Sequence, residues 1–493
     1  MPMLSALFLS TVALVPRPAA LTETGGALEF PDSVEFPPAA VAWTEDASLP
    51  REGYRLVVSS NGVTAAASSA AGRFYALQTL RQLAVRKGED RVGIEVPCVR
   101  IEDAPRFGWR GVHLDESRHF FGKASVKKLL ELMAYCKFNV LHWHLTDNPG
   151  WRLQIDRYPA LVRVGSQRPI PEPFCLRDTA SSGTYGPYFY TKDDVREILA
   201  YAAERQVEIV PEFDFPGHCA AVLRSHPELF CGGHGPYVPG PETPERRIYG
   251  ELCPGKDATV EFVRNVLDEI AALFPSKYVH IGGDECERKG WATCPDCNRR
   301  MRELGLKDDG ALQGWLTKVC TEHLAKLGKR AVTWYEPLEG CPVPGSLVMS
   351  WRDAGAGAKE ALAAGCDLVM SAHRFCYFDY KNGEGWANDP CVYPDWTPVL
   401  PLAKVYAYDP LEGIPPELRS RVLGTQCENW TERTCSEAEL EWKMWPRALA
   451  KAENAWTAPG RLDYADFLRR AKIRRAVLVR DFGVNAAPVE GAE

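Results

Sequence analysis

Apolar positions along the chain change their spacing around residue 103. Before it, Tyr54-Arg55-Leu56-Val57-Val58 and Gly62-Val63-Thr64-Ala65-Ala66 have strand length and lie on either side of Asn61-Gly62, a dipeptide suited to a tight hairpin turn. Ala71 to Val85 follows with Phe74, Leu77, Leu80 and Leu83 about three residues apart, which predicts a helix with one buried stripe. Strands plus one helix over residues 1–103 predict a small α+β domain. Beyond it, short apolar runs recur: Gly111–Asp115, Asn139–Thr146, Glu208–Asp214, Tyr278–Gly282, Ala331–Trp334, Leu347–Trp351, Asp367–Ala372 and Val422–Gln426. Helical patterns separate most of them. One begins at Ser125 (Val126, Leu129, Leu130, Met133), one at Thr191 with Asp194 three residues on, and others span Ala258–Leu273, Ala311–Leu327 and Gly357–Ala363. Eight strands with intervening helices over residues 104–460 predict an α/β chain whose second part is a (β/α)8 TIM barrel, followed by a C-terminal helix and tail over 461–493. An open doubly wound sheet is the alternative, but no Gly-x-Gly-x-x-Gly follows a first strand to support a dinucleotide site.

The barrel reading makes a test within the sequence, because barrel chemistry sits just after the C-terminal ends of the strands. The residues there are Arg118 and His119, then Asp147, then Asp214 and His218, then Asp284 and Glu285. They continue with Trp334 and Glu336, Trp351, Tyr377 and Asp379, and finally Trp430 and Glu432. Acids, one arginine and several tryptophans delivered to one rim suit a carbohydrate pocket. Charged groups hydrogen-bond hydroxyls, and indole faces cover the C–H faces of a sugar ring. The net charge of -7 argues against a nucleic-acid partner and leaves no cationic face for a membrane.

Asp284 and Glu285 end the run Tyr278-Val279-His280-Ile281-Gly282-Gly283-Asp284-Glu285, a buried strand stopping at two glycines and two acids. Small residues let a bulky ligand approach, and two neighbouring acids repel each other unless each has its own task. A helix N-terminus carrying acids for its dipole is the plainer alternative.

Four segments together carry a family resemblance. They are Trp109-Arg110-Gly111-Val112-His113-Leu114-Asp115-Glu116-Ser117-Arg118-His119-Phe120, and Lys137 to Asp147 followed by Gly150-Trp151-Arg152. The others are Pro211-Glu212-Phe213-Asp214-Phe215-Pro216-Gly217-His218 and His280-Ile281-Gly282-Gly283-Asp284-Glu285. The ordered set resembles the family 20 glycoside hydrolases, the β-N-acetylhexosaminidases. Val15-Pro16-Arg17-Pro18 and Gly72 to Leu80 look like that family's small leading domain.

The resemblance implies an exo-acting retaining enzyme that removes terminal β-linked GlcNAc or GalNAc through an oxazolinium intermediate formed by the substrate's own acetamido group. It implies Glu285 as general acid and then base, and Asp284 as the group that orients the acetamido and faces the developing positive charge. Trp334, Trp351 and Trp430 would wall the acetamido methyl, and Tyr377 would donate to its oxygen. Arg118 and Glu432 would grip the O3 and O4 hydroxyls, and Asp379 would reach O4 or O6. Asp147 and His218 would form a polar relay behind the acid, with Asp214 nearby. It implies a glycan or glycoconjugate as partner, no nucleic acid, no membrane, no organic cofactor and no metal. A sister specificity releasing a disaccharide such as lacto-N-biose, and a catalytically silent glycan-binding barrel, are the alternatives. Asn148-Pro149 departs from the family's usual Asp-Gln after Asp147. The further tryptophan used by many members falls on Trp386 or Trp396.

Two segments stay open. Met1 to Leu14 is apolar but interrupted by Ser5, Ser10 and Thr11 and lacks a basic start, so it reads as a poor secretory signal, a remnant of one, or a first strand. Localisation is accordingly open between cytoplasm and periplasm or exterior. Of 16 cysteines the densest group is Cys286, Cys294 and Cys297, three thiols that suit a metal lacking its fourth ligand, one disulfide, or free thiols. Asn429-Trp430-Thr431 is formally a glycosylation sequon, but it falls inside the expected pocket.

Overall fold

The computed structural model describes residues 12–30, 41–86, 93–170, 183–231, 250–336, 343–352, 356–386, 388–391, 393 and 396–489. Most of Met1 to Leu14 lies outside that range. Its last residues are not a strand but an apolar segment, with Val12 and Leu14 packed into the small domain's core. Val15 is fixed there by the Gln82 side chain, which accepts its N–H and donates to its carbonyl.

The small domain is a sheet of strands Ala20–Phe30, Val41–Glu45, Tyr54–Ser59, Gly62–Ala67 and Ile94–Asp103, with Val85–Arg86 at one edge. Tyr54–Ser59 and Gly62–Ala67 pair as the hairpin that Asn61-Gly62 predicts. The helix Ala70–Leu83 packs on the sheet, capped by Ser69. Its buried face is not the Phe74/Leu77 stripe that the spacing suggests. Ala71, Tyr75, Gln78, Thr79 and Gln82 are buried with Leu80 and Leu83, while Phe74 and Leu77 are half-buried flanks. Thr79 and Gln82 are satisfied on that face, through the Tyr54–Thr79 hydroxyl pair and the Gln82 bonds, so polarity misled the periodicity.

Eight parallel strands close into a barrel: Trp109–Asp115, Val140–His144, Glu208–Glu212, Tyr278–His280, Arg330–Trp334, Leu347–Ser350, Asp367–Met370 and Val422–Cys427. The second ends two residues earlier than its apolar run, and Thr146–Asp147 instead pairs with Gly150–Trp151 in a small hairpin. The period of two sorts the side chains. Val112, Leu114, Leu141, Trp143, Ile209 and Val279 face the surrounding helices. Trp109, Val140, Val210, Tyr278 and Val332 fill the lower interior. Higher up, the inward positions turn polar, and His113, His142, His144, Glu212, His280 and Gln426 occupy them.

Helices Lys123–Tyr135, Lys192–Glu204, Asp257–Leu273, Asp309–Lys326 and Ala356–Ala363 lie where the pattern predicts them, and Thr191 and Asp194 form a reciprocal capping box. The C-terminal helix Tyr464–Phe482 buries Phe467, Ala471 and Leu478 in the main core, with Arg470 in a bidentate ion pair to Glu453. No helix among the described residues is long and apolar enough to cross a membrane.

Asp103 joins the two parts. Its carboxylate accepts from the Ala19 N–H, the Tyr54 hydroxyl, the Lys137 ammonium and the Trp456 indole at 2.7–3.0 Å. Beside it, Arg110 reaches Glu52 through two nitrogens, both at 3.0 Å, and the Tyr75 hydroxyl at the same distance.

Candidate active site

The loop after the fourth strand is shaped by what lies beneath it. Gly282 and Gly283 have φ of 61° and 105°, and a Cβ on Gly282 would sit 1.7 Å from Asp214 Oδ1. Only glycine allows that approach, and it lets the Gly283 N–H donate to Asp214 at 3.0 Å. Asp214 is 2 % exposed, so it lies under the loop and supports it from within. Glu285 has a φ of 46°, a left-handed conformation that non-glycine residues seldom adopt and that clusters at functional sites.

The two acids have unequal surroundings. The Glu285 side chain is 53 % exposed and Asp284 13 %. Asp284 is the more enclosed of the two, and Glu285 turns to the mouth. Burial, with Asp214, Glu336 and Glu285 nearby, lifts the Asp284 carboxyl well above its usual range despite the opposing pull of His218. Its Oδ1 is buried and has no hydrogen-bond partner.

His218 connects both acids to the barrel interior. It follows a cis peptide at Phe215–Pro216 and has a φ of 52°. Its Nε2 lies 3.9 Å from Asp284 and 3.8 Å from Glu285, and its Nδ1 lies 3.1 Å from Asp147. Burial opposes its charge, but Asp147, Asp214 and Asp284 outweigh that and raise its pKa well above the usual value. Asp147 stays low despite burial because Arg118, His218 and His144 hold it ionised. His144 then bridges Asp147, at 3.0 Å, to the buried Glu212. An alternating chain of carboxylates and imidazoles therefore runs from Glu212 at the barrel axis to the rim acids.

Glu212 is the centre that sequence reasoning passed over. His142 and His280 each lie 3.0 Å from it, and the Trp334 indole donates to it at 2.8 Å. It sits inside a quoted motif, two residues before Asp214. The period of two was the available signal, because it puts Glu212 on the same inward face as His142 and His144 of the preceding strand.

Arg118 is held by Asp115 at 3.2 Å, Asp147 at 2.8 Å and Glu432 at 3.5 Å, with its guanidinium 5.0 Å from the Trp430 ring centre. Trp430 contacts Trp334 and Tyr377 at 5.9 and 6.3 Å, and Tyr377 stacks on Trp351 at 6.1 Å. Trp334 is 1 % exposed and forms a floor, whereas Trp351 and Trp430 are half-buried walls. Glu336 accepts from the Trp351 indole at 3.0 Å. Burial and the Glu428 and Asp284 carboxylates push the Tyr377 hydroxyl well above its usual pKa. Burial, with Glu432 nearby, moves Asp379 up to about 7. One Asp379 oxygen and the Trp430 indole nitrogen are buried without partners, so the site presents both an acceptor and a donor.

A cavity of about 400 Å³ opens between Arg118, Glu432, Asp147, His218 and Glu285, and continues past Asn148, Pro149, Glu251, Cys286 and Glu287. Arg118 in its wall carries the contact to the aromatic group, through Trp430. Burial also lifts Glu251 to about 7; it accepts the Arg288 N–H and no sequence motif marked it. Asn148 is drawn inward by the Ala220 N–H, which fixes the departed loop beside Asp147. Asn429 is 2 % exposed and donates to the His113 carbonyl, so the sequon is closed to modification in the fold. Trp396 is 67 % exposed with Arg433 4.7 Å from its ring centre, while Trp386 is half-buried against Gly383.

Two family models match the chain in the order of this architecture. "Glycosyl hydrolase family 20, domain 2" covers residues 18–104 and "Glycosyl hydrolase family 20, catalytic domain" covers 107–459. The chain belongs to glycosyl hydrolase family 20. It is 32 % identical to a β-hexosaminidase of Akkermansia muciniphila over 98 % of this chain and 93 % of that one. It is 39 % identical to a β-hexosaminidase of Porphyromonas gingivalis over 86 % of this chain, which spans about half (53 %) of that relative's length. The family 20 exo-β-N-acetylglucosaminidase of Vibrio harveyi, solved with N-acetylglucosamine, superposes with a TM-score of 0.84. The two share 31 % identity, with 97 % of this chain and 78 % of that one covered.

Proposed function

We propose that this family 20 chain is an exo-acting retaining β-N-acetylhexosaminidase that hydrolyses terminal, non-reducing β-linked GlcNAc or GalNAc by substrate-assisted catalysis. The observation that carries the reading is the contrast between its two adjacent acids. Asp284 is largely enclosed near Tyr377 with one buried, unpartnered oxygen, and Glu285 stands exposed at the cavity mouth.

In this reading the sugar's acetamido group enters between Trp334, Trp351, Trp430 and Tyr377. Its N–H donates to Asp284, and its carbonyl accepts from the Tyr377 hydroxyl. That aims the carbonyl oxygen at the anomeric carbon. Glu285 gives its proton to the departing glycosidic oxygen, and the acetamido oxygen closes onto the anomeric carbon. Ionised Asp284 faces the positive charge of the oxazolinium. Water then attacks the anomeric carbon with Glu285 taking its proton, and the ring opens with net retention. His218, backed by Asp147 and His144, keeps the field at Glu285 positive during the transfer. Arg118 and Glu432, with Asp379, hold the hydroxyls of a single terminal sugar. Asp214 supports the loop and does not touch the sugar. Residues 1–103 act as a leading domain, and no step calls for an organic cofactor.

The test is hydrolysis of p-nitrophenyl β-N-acetylglucosaminide beside the plain β-glucoside. The expected outcome is cleavage of the first alone, and a loss of about 10²–10⁴ in kcat for Glu285→Gln. Equal rates on both substrates would sink the acetamido mechanism. A folded protein inert on both substrates would favour glycan binding or a disaccharide-releasing specificity.

A further inference from the structure

The three neighbouring cysteines of the chain do not form the group their spacing suggests. Cys286 stands apart at the cavity wall, and Cys231 and Cys253 from a distant stretch join Cys294 and Cys297. All four thiols are 0–2 % exposed, and their sulfurs lie within 4.8 Å of one another. Cys253 Sγ lies 3.5 Å from Cys297 and 3.6 Å from Cys294, and Cys231 lies 3.6 Å from Cys297. These separations are far too long for a disulfide, whose sulfurs sit at about 2.0 Å. They are close to the edge of a tetrahedron with metal–sulfur bonds of about 2.3 Å, which is about 3.8 Å.

The backbone around the quartet is built for ligation. Cys294-Pro295-Asp296-Cys297 puts one ligand just before a helix, Pro295–Leu304, and the other in its first turn, on one side of the chain. Cys253-Pro254-Gly255 makes a second, similar turn, packed so tightly against the first that a Cβ on Gly255 would lie 2.3 Å from the Cys297 nitrogen. Trp291 and Leu312 close the site against water, and the Trp291 indole donates to the Leu252 carbonyl at 3.1 Å. Four thiolates around a dication leave a net charge of -2. Lys256 bonds the Phe230 carbonyl at 2.7 Å beside it, and Arg299 and Arg300, paired with Asp296 and Asp257, bond the Gly255 carbonyl at 3.1 and 3.3 Å.

We propose that Cys231, Cys253, Cys294 and Cys297 bind a structural zinc ion. Four sulfur ligands with no open position favour zinc and leave no place for substrate. Binding releases the thiol protons, and the ion ties together two stretches that line the cavity. Glu251 and Leu252 lead directly into Cys253, and Glu285 to Glu287 precede Cys294. The zinc therefore fixes the wall on which the rim acids are carried, and chemistry does not pass through it. This inference stands independently of the proposed activity.

Metal content of full-length protein, purified reduced and without chelator or an immobilised-metal column, is the first measurement. About one zinc per chain is expected. Exchange with cobalt(II) is expected to give the intense visible bands of a tetrahedral ion and near-ultraviolet thiolate charge transfer. Cys294→Ser and Cys297→Ser should lower the zinc content at least about tenfold, while Cys286→Ser keeps it. Should either variant fail to fold, the cobalt spectrum of the unaltered protein decides the ligands. Metal-free, folded wild-type protein whose four thiols alkylate would overturn the proposal. So would pairing of the four as disulfides, iron in place of zinc, or zinc retained in the folded Cys294→Ser variant.

Discussion

At the scale of single residues, Asp284 carries the most informative environment. Burial and neighbouring acids raise its pKa, so the protonated form persists to higher pH than for an ordinary aspartate. The proposed chemistry needs the ionised form. kcat/KM should therefore fall as pH drops through a value above the usual carboxylate range. Asp284→Asn has no proton to lose; it should reduce kcat by about 10²–10³ and flatten that acidic limb. A pH–rate profile of both proteins on the N-acetylglucosaminide checks this, and an unchanged acidic limb in the variant would assign the limb to another group. Asp379 and Glu251, both lifted to about 7, are the groups next in line.

At the scale of elements, the turn after the fourth strand depends on an absent side chain. A methyl group on Gly282 would occupy the space of the Asp214 carboxylate. Gly282→Ala should force the turn away from Asp214 and displace Asp284 and Glu285 together. The expected result is a loss of kcat of about 10²-fold with KM changed much less, read from steady-state kinetics on protein whose circular dichroism is unaltered. The eight strands and their rim residues were legible because strand polarity in a barrel puts chemistry at one end, and each apolar run was followed by its charged or aromatic residue. The polar interior was less legible. His113, His142, His144, Glu212 and His280 stand at alternate positions, but a reader expecting barrel interiors to be apolar assigns such residues to the surface. The buried face of Ala70–Leu83 failed for the same reason, since Gln78, Thr79 and Gln82 are inside, the last two held by hydrogen bonds. Asp284 and Glu285 were legible as a pair, but which of them is buried depends on the path of a turn over Asp214. The cysteine quartet was legible only in part, because Cys231 and Cys253 come from an earlier stretch of chain and meet Cys294 and Cys297 in space alone.

At the scale of the whole molecule, the small domain and the barrel share buried charge. Asp103 lies 2 % exposed among four donors from the N-terminal segment, the sheet, the barrel and a helix near the C-terminus. Asp103→Ala would strand the Lys137 ammonium in a dry interface at a cost of about 3–5 kcal/mol. The expected outcome is a lower midpoint of urea unfolding with the small domain and barrel still unfolding together. A variant as stable as the parent would show that water reaches Lys137.

The enclosed Asn429 has a practical consequence for production. Its side-chain nitrogen serves the His113 carbonyl, and Thr431 of the same tripeptide serves Asp115. A nascent chain entering a eukaryotic secretory route meets oligosaccharyltransferase before its last barrel strand has docked. A glycan added then would occupy the seam between the first and eighth strands and keep the barrel from closing. Hosts without that machinery avoid the hazard.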